Sequence, residues 1–361
     1  METDKAVTKE TPLFKAIPKL KEKIPHIALT EGPTPVFKLE KLGAYLGIEK
    51  LYCKDEGATG TLYGGNKPRK LEFLFGDAIS KGAKRVITFG AVGSNHAVAT
   101  AAYAKKLGLA ATALLVPQPK TESCHKNLLY HSVLGTELIM VTAETREAKT
   151  QELIKLYEEK EGVAPYVIPT GGTNEIGILG FVNAGIELSY QIEAGDMPPP
   201  DVIYIASGTS GTISGITIGL KIMKQKATLK PIRVSDPAFW TQARTDDFIK
   251  QTASILEKQA GISIDIQETD CRIIDDYYGK GYGVETPELR EVLDTVAKLE
   301  GLNLEIVYTT KPMAALFDDA KKGELAGKVV LYWKTNNSID LKPMIEKGDK
   351  SLLPQEFQEY V

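Results

Sequence analysis

Residues 201–220 read DVIYIASGTSGTISGITIGL. The first six are a continuous apolar run, residues 207–212 (SGTSGT) a turn of glycines and hydroxyl residues, and residues 211–225 a helical stretch opening inside that turn. An uninterrupted apolar strand is one covered on both faces. Followed by a helix and then by another strand, PIRVSD (231–236), it predicts a parallel sheet with helical crossovers. The alternation extends in both directions. RVITFG (85–90), TALLVP (112–117) and residues 137–141 read as strands, with helices over 94–107, 126–134 and 143–161, and KVVLYW (328–333) is the last strand. EAGDMPPP (193–200) reads as a surface connection between two βα groups, since three prolines in a row cannot continue a helix. The fold class expected is therefore α/β, with two lobes. Thr286, Pro287 and Glu288 supply an N-cap, a first-turn proline and a first-turn acid for a helix ending near Gly301. Ahead of it lies a glycine-rich loop carrying Tyr282.

Composition narrows the function. In 361 residues, 44 Lys and Arg stand against 47 Asp and Glu, a net charge of −3, which gives no electrostatic motive for binding nucleic acid. No apolar stretch approaches the roughly 20 residues of a membrane-spanning helix, and the amino-terminal residues have no signal-like core. Cys53, Cys124 and Cys271 lie far apart and include no CxxC pair, so a disulfide framework or zinc site is not expected and a reducing cytoplasm is. The four histidines form no i, i+4 pair, which disfavours a metal. A metabolic enzyme acting on a small molecule is the class that remains.

In open α/β sheets ligands bind where strands give way to helices. Three such turns stand out: GAVGSNH (90–96), SGTSGT (207–212) and KTNNS (334–338). SGTSGT has the chemistry of a phosphate cup, with glycines that let backbone N–H groups converge, hydroxyls, and a helix N-terminus. No dinucleotide or P-loop glycine pattern is present. GSNH sets Ser94, Asn95 and His96 at a helix start, where free amides can hold a carboxylate, although Ser94 or Asn95 serving simply as the N-cap is the commoner explanation. The densest cluster is GATGTLYGGNKPRKLEFL (57–74), and spacing alone does not choose among Lys67, Arg69 and Lys70.

In this setting GGNKPRKLEFL resembles the lysine segment of the pyridoxal-phosphate (PLP) enzymes grouped with D-cysteine desulfhydrase and 1-aminocyclopropane-1-carboxylate (ACC) deaminase. GPTPV, GSNH, YVIPTGGTNEIGILGF, SGTSGT, GYGVETPE and VYTTKPM follow the same family in order, over about residues 30 to 340. The resemblance implies the tryptophan-synthase-β architecture (fold type II): two open, mainly parallel twisted sheets flanked by helices. It further implies a large cofactor-binding domain of residues 1–69 and 182–361, a small domain of 70–181, and a homodimer. Lys67 would bond covalently to PLP and later carry protons. Asn95 would hydrogen-bond the cofactor's phenolic oxygen, and Ser94, Asn95 and His96 would hold the substrate. Gly208, Thr209, Ser210, Gly211 and Thr212 would bind the phosphate. Tyr282 and Tyr308 match the two active-site tyrosines, and Thr335, with Thr309 close by, would lie near the pyridine nitrogen.

ACC deaminases carry a glutamate after the second tyrosine and a leucine at the terminal-strand position, whereas Thr309 and Thr335 match the desulfhydrases. A hydroxyl cannot keep the pyridine nitrogen protonated, which favours β-elimination. The expected activity is that of a PLP-dependent lyase on a small amino acid, with D-cysteine first. ACC deaminase, another lyase of the family and a non-catalytic PLP-binding protein are the rivals. Two departures flank the inferred pocket: Gly93 stands where the family has Gln, and Lys334-Thr335-Asn336-Asn337 replaces His-Thr-Gly-Gly. Lys334 and Asn337 are expected to contact a more polar or anionic substrate.

Overall fold

The computed structural model describes residues 10–279, 281 and 283–361. Its strands form two sheets. In the five-stranded sheet, β1 (Val36–Lys38) runs antiparallel to β2 (Lys50–Asp55). Beyond β2, strands β9 (Val329–Lys334), β7 (Val202–Ser207) and β8 (Thr228–Arg233) follow in that order, all parallel. The four-stranded sheet is wholly parallel, in the order β5 (Glu137–Met140), β4 (Ala110–Val116), β3 (Arg85–Ala91), β6 (Tyr166–Ile168). Every residue of β7 and β9 is buried, as continuous apolar runs require. Ile203, Ile205, Leu331 and Trp333 join one core on one face of the large sheet, and Tyr204, Val330 and Tyr332 join a second on the other.

Several boundaries move. The strand expected at 231–236 is Thr228–Arg233, so Pro231 lies inside it opposite Ile205. A proline cannot donate to a ladder, and β8 tolerates it because it is the edge of its sheet. Helix Glu175–Ala194 runs into the expected surface connection, where Met197 and Pro200 are buried. The helices expected from 126 and 143 begin at Glu122 and Arg146 instead.

Close helix packing sets the geometry that matters for chemistry. Helices Lys67–Ser80, Glu175–Ala194 and Gly211–Ile222 meet through positions without side chains. A Cβ at Gly180 would lie 2.1 Å from the Arg69 carbonyl oxygen, and one at Gly215 would lie 2.6 Å from that of Ile178. Both obstacles are backbone, so neither contact can be relieved by a rotamer change. Gly180→Ala is therefore expected to cost about 1–3 kcal/mol through overpacking, read as a lower urea midpoint with unchanged slope.

Behind the Lys67–Ser80 helix lies a buried charge cluster. Arg69 Nε donates to Glu56 Oε2 at 2.5 Å, and Arg69 Nη2 to Glu187 Oε1 at 2.8 Å. Lys54 Nζ donates to the same Glu187 oxygen at 2.7 Å and to Gln191 Oε1 at 2.6 Å. All four ions are 4 % exposed or less. Two cations thus face two anions, and Thr34 and Trp333 supply further donors to the carboxylates, so no charge of the set is left unpaired.

Candidate active site

Lys67, Asn95, Tyr308 and Thr335 line one cleft, together with Tyr63, Gly64, Asn66, Glu305, Asn336 and Asn337. Of the three cations that sequence left open, the structure puts only Lys67 there. Arg69 belongs to the buried cluster, and Lys70 is buried and donates to the Gly171 carbonyl. Lys67 opens its helix with Pro68 behind it, the position at which a missing N–H costs nothing. Its Nζ donates to Asn66 Oδ1 at 2.7 Å and lies 5.8 Å from the centroid of the Tyr308 ring. Burial lowers its pKa to about 8, against the opposing pull of Glu305. A neutral amine is thus accessible near physiological pH, as a nucleophile or proton carrier needs.

The SGTSGT turn follows β7 directly and leads into helix Gly211–Ile222. Ser210 adopts a left-handed conformation at φ 65°, and its Oγ accepts from Thr245 Oγ1 at 2.7 Å. Thr209 Oγ1 lies 2.6 Å from Thr173 Oγ1, and Thr212 Oγ1 accepts from Asn66 Nδ2 at 3.1 Å, which ties the turn to the residue before Lys67. Gly208 and Gly211 have little room for a side chain, since their Cβ atoms would lie 3.2 Å from the Tyr308 ring and 2.7 Å from Thr173 Oγ1. Among the described residues, the backbone N–H groups of residues 209–213 have no acceptor, and the next, of Ser214, bonds Ser210 O at 3.0 Å. Consecutive free amides at a helix N-terminus are a cradle for an anion.

Ser94 is the N-cap of helix Asn95–Lys106, its Oγ accepting from Ala97 N at 3.2 Å, while Asn95 turns into the cleft. His96 is buried with Nε2 3.2 Å from Thr88 Oγ1, apart from the cleft lining, and burial pushes its pKa well down. Thr309 is buried, with its hydroxyl accepting from Glu305 N at 2.8 Å and donating to Glu305 O at 3.2 Å. Tyr282 lies outside the described residues. Lys334 corrects an expectation. It is 1 % exposed and its Nζ is held by Asp55 Oδ1 at 2.9 Å and Ser338 Oγ at 2.7 Å, so its charge is spent inside the protein. Asn337 does line the cleft, with Oδ1 accepting from Gly64 N at 2.8 Å.

Two cleft residues were missed by sequence reasoning. Glu305 accepts from the N–H groups of Tyr308 (2.6 Å), Thr309 (3.1 Å) and Val307 (3.2 Å), capping the approach to helix Thr310–Lys321. Burial raises its pKa in spite of those bonds and of Lys67. Its signal was an acid shortly before a helix start. Tyr63 donates to Asn95 Oδ1 at 2.9 Å, and its signal was a single aromatic inside a glycine-rich turn.

A lysine amine in a cleft beside a built anion cradle fits a phosphorylated aldehyde. The family model described as pyridoxal-phosphate dependent enzyme matches residues 27–335. The chain belongs to this family. A protein of Pyrococcus horikoshii named as a candidate ACC deaminase is 37% identical over 338 residues, covering 91% of this chain and 96% of its own. A D-cysteine desulfhydrase of Klebsiella pneumoniae is 36% identical over 301 residues, covering 82% and 88%. The crystal structure of an ACC deaminase homologue superposes with a TM-score of 0.76 at 33% identity, covering 95% and 99%. The processed form of threonine deaminase isoform 2 from Solanum lycopersicum, with a TM-score of 0.58 at 16% identity over 92% and 90%, shares the fold. The protein is thus a PLP-dependent enzyme of fold type II. The described residues include no helix long and apolar enough to cross a membrane.

Proposed function

We propose that this enzyme is a lyase that eliminates the β-substituent of a small amino acid, with D-cysteine as substrate. One water is consumed, and pyruvate, sulfide and ammonia are released. The observation that carries the reading is Lys67, a desolvated amine in a cleft that it shares with Thr335. Bound PLP supplies an electron sink that acidifies the substrate's Cα–H. The remaining work falls to the chain. The free amides of residues 209–213 hold the phosphate, with the hydroxyls of the turn beside them. Asn95 bonds the phenolic oxygen, and Ser94 and the helix start orient the substrate carboxylate. Lys67 would hold the cofactor covalently and, as a desolvated amine that can be neutral, would take the Cα proton at Nζ.

A second reading, deamination of ACC, is favoured by Glu305, which places a carboxylate in the cleft beside the Thr309 backbone. The named relatives include both activities. Cofactor-loaded protein is expected to release sulfide and pyruvate from D-cysteine. Release of 2-oxobutyrate from ACC without sulfide from cysteine would transfer the assignment to the second reading. Cofactor uptake without keto acid from any D- or L-amino acid would make the protein a non-catalytic PLP binder. The proposal extends to a cytoplasmic homodimer, and to a cofactor domain of residues 1–69 and 182–361 with a small domain of 70–181. The partition of strands between the two sheets supports that division.

A further inference from the structure

Asn95 faces the cleft, but an asparagine amide offers a donor at one end and an acceptor at the other, and only one of them suits a given ligand atom. Here the choice is made by two neighbours. Tyr63 donates its hydroxyl to Asn95 Oδ1 at 2.9 Å, and Asn127 Nδ2 donates to the same oxygen at 3.0 Å. Both donors are themselves fixed. Tyr103 OH donates to the Tyr63 carbonyl at 2.7 Å, and Asn127 Nδ2 also donates to Gly93 O at 2.9 Å. Burial, with Glu305 second, raises the pKa of the Tyr63 phenol, so it stays a donor at physiological pH. Reversing the Asn95 amide would set its NH₂ group against two donors. Its Oδ1 is thereby committed to the protein, while its Nδ2 has no protein acceptor among the described hydrogen bonds.

Gly93 is part of the same device. A Cβ there would lie 2.8 Å from Ser123 Oγ and 3.1 Å from Cys124 N, at the start of the helix that carries Asn127. The departure from glutamine at this position therefore lets helix Glu122–Leu134 come close enough for Asn127 to bond both Gly93 and Asn95.

We infer that Tyr63 and Asn127 are positioning residues that lock the Asn95 amide so that it presents only its Nδ2 donor to the phenolic oxygen of bound PLP. The inference rests on the proposed placement of the cofactor. A donor stabilises the anionic form of that oxygen, whereas a reversed amide would repel it.

The test compares the affinity of cofactor-free protein for PLP and for 3-deoxypyridoxal phosphate, which lacks the phenolic oxygen, by equilibrium dialysis. Tyr63→Phe keeps the ring and removes the donor, and Asn127→Ser shortens the second arm. Each variant is expected to lose three- to tenfold in PLP affinity, and the double variant more, with affinity for the deoxy analogue unchanged. The pH midpoint of the bound cofactor's visible absorbance is expected to rise, because an oxyanion without its donor holds a nearby proton more tightly. Equal losses for both ligands, or no loss for either, would overturn the positioning role. Should Asn127→Ser unfold the protein, Tyr63→Phe alone decides. A wild-type protein that takes up no PLP would refute the functional reading itself, a result distinct from these.

Discussion

Lys67→Ala is expected to abolish keto-acid release, with a loss of at least about 10³-fold, because one residue both attaches the cofactor and moves the proton. Borohydride should fix the cofactor to the wild type and not to the variant. The same side chain costs the fold something. Its pKa of about 8 lies below the ordinary 10.5, chiefly through burial, so the folded chain binds fewer protons than the unfolded one between those values. The penalty is complete below pH 8 and fades as the pH rises toward 10.5. Lys67→Met, inactive, is accordingly expected to stabilise cofactor-free protein by about 1–3 kcal/mol at pH 7 and by much less near pH 10.5. Amine-directed labelling of wild-type protein should follow a midpoint near pH 8 at Lys67. Undiminished turnover by Lys67→Ala, or labelling that tracks an ordinary surface lysine, would defeat the mechanism.

Glu187→Ala is expected to destabilise the protein by about 3–5 kcal/mol, since it strands Arg69 and Lys54 in the core without their shared carboxylate. Burial alone would raise the Glu187 pKa, but Arg69 and Lys54 outweigh it and hold the carboxylate well down. The stability it contributes is therefore intact above about pH 4.5 and is lost as the pH falls through the lowered value. Urea denaturation should therefore find wild-type protein losing stability between pH 5 and pH 3, and Glu187→Ala losing less over the same range because the depressed carboxylate is gone. A cost below about 1 kcal/mol for Glu187→Ala would show that water reaches the cluster.

The same cluster explains what the sequence hides. Strands β3, β4, β7 and β9 are legible because their runs are apolar and their neighbours in the sheet are covered. β2 carries Lys50, Lys54 and Asp55 and reads as a polar segment. Lys54 is buried there only because Glu187 and Gln191, more than a hundred residues away, satisfy it. No local pattern reports such a partner. β8 was misplaced because Pro231 looks like a strand's beginning until its edge position is known. In the cleft, the resemblance pointed to Lys67 and Asn95, whereas composition left Lys67 level with Arg69 and Lys70. Glu305 and Tyr63 escaped notice because each acts through contacts that exist only after folding: three backbone amides for one, an amide oxygen for the other. Lys334 shows the converse error, a charge next to the pocket in sequence whose field is cancelled by Asp55.

Lys67, Arg69 and Lys70 occupy one turn of one helix, and each points to a different place: the cleft, the ion cluster and the Gly171 carbonyl. Reagent and keystone are machined from a single part. Turning that helix to re-aim the amine would wrench Arg69 from its two carboxylates, so a new substrate cannot be accommodated by moving the lysine. Diversification is left to the opposite wall, where Glu305, Asn336 and Asn337 sit on connections between elements and not on that helix. Laboratory evolution toward other amino acids should accordingly accumulate its changes there and spare the helix.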